Sequence, residues 1–150
     1  MNSLLCVQIV GEPKGQPRAR AFSRGGRARM YDPGTAETWK SAIAAHVHNY
    51  LPEIPHQGPL KVHMEFRFLR PKNHYTSKGD LTKSAKESKL HHTQKPDFDN
   101  LEKAVSDCLT ELGFWQDDTQ VVEWSGLKKW VSRMPGMFLK IDNAGGLAHD

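Results

Sequence analysis

The residues of this sequence that could do chemistry are concentrated between Lys95 and Val122, where seven of its 17 acidic residues lie. Three carboxylates around one point repel each other unless a cation neutralises them, and Mg²⁺ prefers oxygen ligands of this kind. The spacing therefore predicts a divalent-metal site, and the alternative is a set of solvated acids and helix caps. The candidate ligands are Asp97, Asp99 and Asp118, with Asp117 as a further ligand or supporting group.

An amphipathic helix is predicted between the two groups of acids. Its apolar positions recur at spacings of three and four, at Leu101, Ala104, Val105, Cys108, Leu109 and Leu112. Asp99 or Asn100 is a suitable N-cap, and Gly113 stands where a C-cap glycine is expected. A chain reversal after Gly113 would bring Asp118 beside Asp97 and Asp99.

This segment resembles the RusA family of Holliday-junction resolvases. The matching residues keep a fixed spacing and are Asp97, Asp99, Asn100, Leu101, Lys103, Ala104, Asp107, Leu109, Thr110, Gly113, Phe114, Trp115, Asp117, Asp118, Gln120 and Val121. The motifs G-x-P-x-x-Q-P-R-A-R from Gly11 and Tyr31-Asp32-Pro33 are similar to those of phage and prophage members. The resemblance covers most of the chain and is weakest in residues 70–94 and the tail. It implies a RusA-like fold, and it maps Asp97, Asp99, Asp118 and Lys103 onto the essential residues.

The reaction expected from this resemblance is hydrolysis of a DNA phosphodiester that leaves a nick. Mg²⁺, or Mn²⁺ in its place, would polarise the phosphate and lower the pKa of the attacking water. Lys103 would face the phosphate, and Asp107 would support Lys103. The alternative is that Lys103 only forms a surface ion pair with Asp107 or Asp99, worth ~0.3–0.5 kcal/mol. Two symmetric nicks in a four-way junction favour a C2 homodimer. The rival functions are a nuclease for another nucleic acid, a non-catalytic junction-binding module, and a fold with a structural ion.

The charge of the chain suits a polyanionic partner, because the formal net charge is +4 and the pI about 9.1. Gly11–Met30 is predicted to be a loop whose cations contact DNA phosphates, although most charge runs are simply solvated. Pro71–Lys95 is predicted to be a flexible basic loop. The candidate nucleic-acid-binding residues are Lys14, Arg18, Arg20, Arg24, Arg27 and Lys95.

The remaining patterns predict one α+β domain with a mixed sheet of about four strands and two main helices. The strands are expected at Leu4–Val10, Leu60–Arg70, Thr119–Val131 and Gly136–Ile141, and the other helix at Thr35–Leu51. The apolar residues of the third strand, Val121, Val122, Trp124, Leu127 and Trp130, are expected to be mostly core. Cys6 and Cys108 are expected to be reduced core residues of a cytoplasmic protein. The apolar opening predicts a strand rather than a signal peptide, and no apolar run is long enough to span a membrane.

Overall fold

A four-stranded mixed sheet organises the structure, which is a computed structural model that describes residues 3–16, 20–24, 27–31, 35–88 and 90–145. In chain order the strands are β1 (Leu5–Val10), β2 (Arg20–Arg24), β3 (Arg27–Tyr31), β4 (Leu60–Leu69), β5 (Val121–Ser132) and β6 (Gly136–Asn143). The helices are α1 (Thr35–Val47), α2 (Lys83–Ser88) and α3 (Phe98–Leu112). The sheet order is β1-β6-β4-β5, with β5 parallel to β4 and the other pairs antiparallel. The predicted α+β fold with its four-stranded sheet is confirmed.

The core lies between one face of this sheet and the two long helices. Strand β4 alternates strictly, with Leu60, Val62, Met64, Phe66 and Phe68 buried and the residues between them half-buried. Helices α1 and α3 contribute Trp39, Ile43, Val47, Leu101, Val105 and Leu109 to the same buried cluster. Each such side chain stabilises the fold by ~1.5–3 kcal/mol, so this packing fixes the position of α3 on the sheet. None of the helices in the described part of the chain has the length and hydropathy that a membrane crossing requires.

Both predicted basic loops contain regular structure, so those predictions are wrong in part. Strands β2 and β3 form an antiparallel hairpin inside Gly11–Met30, with Arg24 opposite Arg27. Pro71–Lys95 contains a 3₁₀ turn at Lys72–His74 and the helix α2. Its end, at residues 90–92, runs along β5 through backbone hydrogen bonds, and such tertiary pairing leaves no periodic signal in the sequence.

Strand β5 and Cys6 depart from the predicted core. Val122 is 64% and Trp124 40% exposed, because β5 is an edge strand and two register shifts against β4 break its alternation. Cys6 is exposed, whereas Cys108 is buried as predicted, and both are free thiols. The reason is the period of two in β1, which turns Leu5 and Ile9 toward the helices and Cys6 to the opposite face.

Candidate active site

The start of α3 is fixed by Asp97, which caps the helix. The Asp97 side chain accepts a hydrogen bond of 3.1 Å from the backbone N–H of Asn100. The predicted N-cap at Asp99 or Asn100 is therefore wrong by two or three residues. Because the cap lies earlier, Asp99 belongs to the first turn of the helix, where the helix dipole stabilises a carboxylate.

The end of α3 reverses the chain, as the sequence predicts. Gly113 has φ +80°, a left-handed conformation that favours glycine, and its N–H donates to the carbonyls of Leu109 and Thr110. Phe114 and Trp115 follow as fully buried side chains, and the Trp115 indole donates to Thr110 Oγ1 at 2.7 Å. These anchors return the chain along the polar side of α3, with Asp117 and Asp118 at the beginning of a 3₁₀ turn that leads into β5.

The side-chain amide of Gln120 holds this turn in place. Its Oε1 accepts hydrogen bonds of 2.9 Å from the backbone N–H groups of Gln116 and Asp117. Its Nε2 donates to the carbonyls of His56 and Gly58, both at 3.0 Å. One side chain therefore connects the Asp117–Asp118 turn to the loop before β4. The sequence motif includes Gln120 but does not reveal this role.

A cleft of about 360 Å³ lies between the reversed chain and α3, and its lining includes Lys103, Asp107, Asp117 and Asp118. Lys103 Nζ is 3.8 Å from Asp107 Oδ1, which is the predicted pair one helical turn apart. Burial, followed by the hydrogen bond and negative charge of Asp117, raises the pKa of Asp118, while Lys103 lowers that pKa. The Thr119 hydroxyl donates to Asp117 at 2.8 Å and is the main cause of the lowered pKa of Asp117. The pKa values of these two neighbouring acids are therefore shifted in opposite directions.

Glu102 is a further acid of this site that the sequence reasoning missed. Burial raises its pKa, and the charges of Asp99 and Asp118 raise it further, while a hydrogen bond from Ser106 lowers it. Glu102 therefore shares an electrostatic environment with both of these carboxylates. Its position three residues after Asp99 was the available signal, because residues three apart are neighbours on a helix surface.

Asp97 faces a different group, the ammonium of Lys129 on β5. Burial lowers the pKa of Lys129, and the negative charge of Asp97 offsets part of that shift. Lys129 Nζ donates to the carbonyls of Gln94 at 2.8 Å and Pro96 at 2.7 Å, so it fixes the chain that leads into Asp97. Within the described ranges, no three or more His, Cys, Asp or Glu side chains are gathered as metal ligands. The ligand set of Asp97, Asp99 and Asp118 stays a prediction.

The basic segment before the hairpin reaches this site. Gly15 lies against the start of α3, where a Cβ atom would come within 3.0 Å of the Cβ atoms of both Pro96 and Asn100. The backbone N–H of Gln16 donates to the carbonyl of Asn100 at 2.9 Å. Lys14, the residue before Gly15, is half-buried beside these contacts.

The structure describes the other predicted DNA-binding residues only in part. Lys95 is exposed two residues before Asp97. Arg20, Arg24 and Arg27 lie on the hairpin, and Arg18 lies outside the described residues. Their contact with DNA stays a prediction.

Comparison with known sequences decides the family. The sequence model of the family described as endodeoxyribonuclease RusA matches residues 10–142. The chain belongs to the RusA family. It is similar to the uncharacterized protein YqaN of Bacillus subtilis (strain 168), with 34% identity over 132 residues, 87% of this chain and 91% of that protein.

Two relatives with a described activity align with the chain, one over nearly the same span and one over a shorter part of it. The crossover junction endodeoxyribonuclease RusA of Escherichia coli (strain K12) is 25% identical over 129 residues, 86% of this chain and 89% of that enzyme. The enzyme of the same name from Enterobacteria phage 82 is 42% identical over 52 residues, 35% of this chain and 43% of that enzyme. The resemblance inferred from the motif is confirmed.

In this RusA-family chain, the two histidines before the acids take part in aromatic stacking. The His92 ring stacks on Phe68 with centroids 3.9 Å apart, and the His91 ring lies parallel to Trp130 at 6.3 Å. Burial lowers the pKa of His92, and the charge of Lys129 lowers it further. The stacked His92 ring forms part of the packing between the 90–96 segment and the sheet.

Proposed function

We propose that the protein is a metal-dependent endodeoxyribonuclease that resolves Holliday junctions by paired symmetric nicks in the cytoplasm. The observation that carries the proposal is the cleft in which Lys103 and Asp107 of α3 meet Asp118 from the reversed chain. Family membership over most of the chain supports a nuclease, and the names of the relatives support a DNA junction as substrate.

The donor set fits a hard divalent cation. It consists of carboxylates, and the pKa values of Asp118 and Glu102 are raised partly because neighbouring acids repel their negative charge. A cation would relieve that repulsion. Asp99 and Asp118 would hold Mg²⁺, or Mn²⁺ in its place, with Asp97 and Asp117 as further oxygen ligands. When bound, such an ion supplies Lewis-acid activation of the phosphate and an acidified water.

Lys103 has two tasks in this proposal. It opposes the rise in the pKa of Asp118 and so favours the ionised carboxylate, and its ammonium can pair with a phosphate oxygen at the mouth of the cleft. Asp107 lies 3.8 Å from the Lys103 ammonium and restricts the directions in which that ammonium can point. A non-catalytic DNA binder has no use for these acids, since they repel the phosphates that its basic segments attract.

The experiment that tests the activity is cleavage of a labelled synthetic four-way junction beside a linear duplex of the same sequence, with Mg²⁺ and with EDTA. We expect paired nicks in the junction only. Asp99→Asn should abolish cleavage and retain or tighten binding, because it removes negative charge that faces the phosphate. Asp142→Asn is the matched control, since Asp142 pairs with Lys140 at 3.9 Å on β6 and belongs to neither acidic group. If the wild type binds the junction but does not cleave it with any metal, the protein is a junction-binding module and not a nuclease. If it cuts the duplex as fast as the junction, it is a nuclease without selectivity for branched DNA.

Two symmetric nicks require two active sites, and we propose that a C2 homodimer provides them. The edge of β5 would form the dimer interface. The end of β5 is covered by residues 90–92. Among the described residues, no strand pairs with the outer side of its beginning, where Val122 and Trp124 stand exposed. An apolar, unpaired strand edge is a template for pairing with a second chain. In multi-angle light scattering, the wild type should have the mass of a dimer, twice 17.0 kDa, and Trp124→Glu should have the monomer mass of 17.0 kDa. Tyr50→Glu, at another exposed aromatic residue, should leave the mass unchanged, and an unchanged mass for Trp124→Glu would exclude this edge.

A further inference from the structure

A groove of about 490 Å³ opens beside Asp97, and its lining shares no residue with that of the Lys103 cleft. Its lining comes from three pieces of chain that meet only in the folded protein: residues 127–130 of β5, the start of α3, and the segment at 91–92. The volume falls in the range of small-ligand sites, ~300–1,000 Å³. It is therefore large enough for a nucleotide-sized group next to a candidate catalytic carboxylate.

The chemistry of this groove combines open aromatic rings with ammonium groups. Phe98, in the first turn of α3, remains 37% exposed, and Lys129 Nζ lies 5.7 Å from the centroid of its ring. Trp130 lies parallel to His91, and Lys128 Nζ is 5.5 Å from the Trp130 centroid. Aromatic faces accept any nucleobase by stacking, and the adjacent cations attract the phosphate that the base carries.

A groove that takes up a single base would distinguish branched DNA from a linear duplex. A base inside a duplex is stacked on both sides and cannot enter a groove on a protein surface unless it is unstacked. At the branch of an open four-way junction, a nucleotide has a stacked neighbour on one side only, so it enters at less cost. Stacking on one aromatic side chain is worth about tenfold or more in affinity.

We infer that this groove receives the unstacked base of a nucleotide that flanks the scissile phosphate, with Phe98 as the stacking platform. The inference rests on the proposed function and deepens it, because it gives the chain a physical means of preferring branched DNA. Lys128 would then hold a phosphate next to that base, while Lys129 keeps its hydrogen bonds to the carbonyls of Gln94 and Pro96.

The test uses a junction with 2-aminopurine placed in turn at each position around the cut, bound to Asp99→Asn so that the DNA stays intact. Stacking on an aromatic side chain changes 2-aminopurine fluorescence. We expect a change at one flanking position, which is lost when Phe98→Leu is added. Tyr50→Leu, an exposed aromatic outside the groove, is the matched control and should retain the change. Absence of any change, or a change that survives Phe98→Leu, would overturn the inference.

A second measurement separates this inference from the proposed function. In the active protein, Phe98→Leu should lower the affinity for the junction by about tenfold and leave the affinity for the duplex unchanged. Failure of the wild type to bind or cut the junction would contradict the proposed function itself. Normal junction cleavage with no effect of Phe98→Leu would contradict the groove alone. A Phe98→Leu protein that loses its dimeric mass would assign the groove to contact between two copies, which also overturns the inference.

Discussion

Gln120 is the side chain whose replacement tests most directly how the fold holds Asp118. In Gln120→Glu the carboxylate can still accept hydrogen bonds from the N–H groups of Gln116 and Asp117. It can no longer donate to the carbonyls of His56 and Gly58, which lie 3.0 Å from the Nε2 position. An oxygen at that position would be repelled by both carbonyls, so the side chain should turn away and release the turn.

The magnitude follows from the four hydrogen bonds that the amide makes. At ~0.5–1.5 kcal/mol each, their loss sums to roughly 2–6 kcal/mol. Gly58, Gln116 and Asp117 are exposed, so water replaces part of that loss, and the lower end of the range applies. We expect the free energy of unfolding to fall by about 2–3 kcal/mol, within the stability of ~5–15 kcal/mol of an ordinary domain. The variant should therefore fold with a displaced Asp118, and a misplacement of about 1 Å lowers turnover by ~10²-fold.

The assay combines urea unfolding with junction cleavage at saturating Mg²⁺. Gln116→Glu is the matched control, because it introduces the same charge on the same turn while only the backbone of Gln116 takes part in the Gln120 contacts. It should change the stability by less than about 0.5 kcal/mol. If Gln120→Glu unfolds and cleaves like the control, the turn is held by other contacts and the reasoning is refuted.

Three further predictions concern the surroundings of the acids. Lys129→Met should lower the free energy of unfolding by ~1–3 kcal/mol and reduce the cleavage rate at saturating DNA, because two carbonyls before α3 lose their hydrogen-bond donor. The control Lys140→Met removes one charge elsewhere on the sheet and should not reduce the cleavage rate. In metal-free protein, carboxyl NMR should show Asp118 titrating above the usual aspartate range, and Lys103→Met should move that pKa higher still. Because the pKa of Asp118 is higher in the folded protein than in the unfolded chain, Asp118 destabilises the fold fully at pH values above its folded pKa. This destabilisation disappears as the pH falls below the unfolded pKa, and an unshifted pKa of Asp118 would contradict the prediction. Gly15→Ala should cost about 1–3 kcal/mol in unfolding experiments, because its Cβ would come within 3.0 Å of two neighbours, and an unchanged stability would mean that the segment moves freely.

The sequence by itself determined the main elements of the sheet, both long helices and the family. Those predictions rest on short-range periodicity: β4 alternates with period two, and α3 places apolar residues every three or four positions. The chain reversal at Gly113 was also predictable from the sequence, because a left-handed C-cap favours glycine. The pair Lys103–Asp107 follows from helical spacing alone.

Only the tertiary structure decided which groups surround each acid. Asp97 and Asp118 are both close to α3 in the sequence, yet Asp97 faces Lys129 and Asp118 faces Lys103. The contact with Lys129 requires β5 to lie parallel to β4 and the 90–96 segment to cross its end, and the Gln120 contacts require the loop at 56–58. Such contacts join residues more than 30 positions apart, and no local period encodes them. The physical reason is that periodicity reports which face of an element is buried, whereas the partner on that face is chosen by packing of the whole chain.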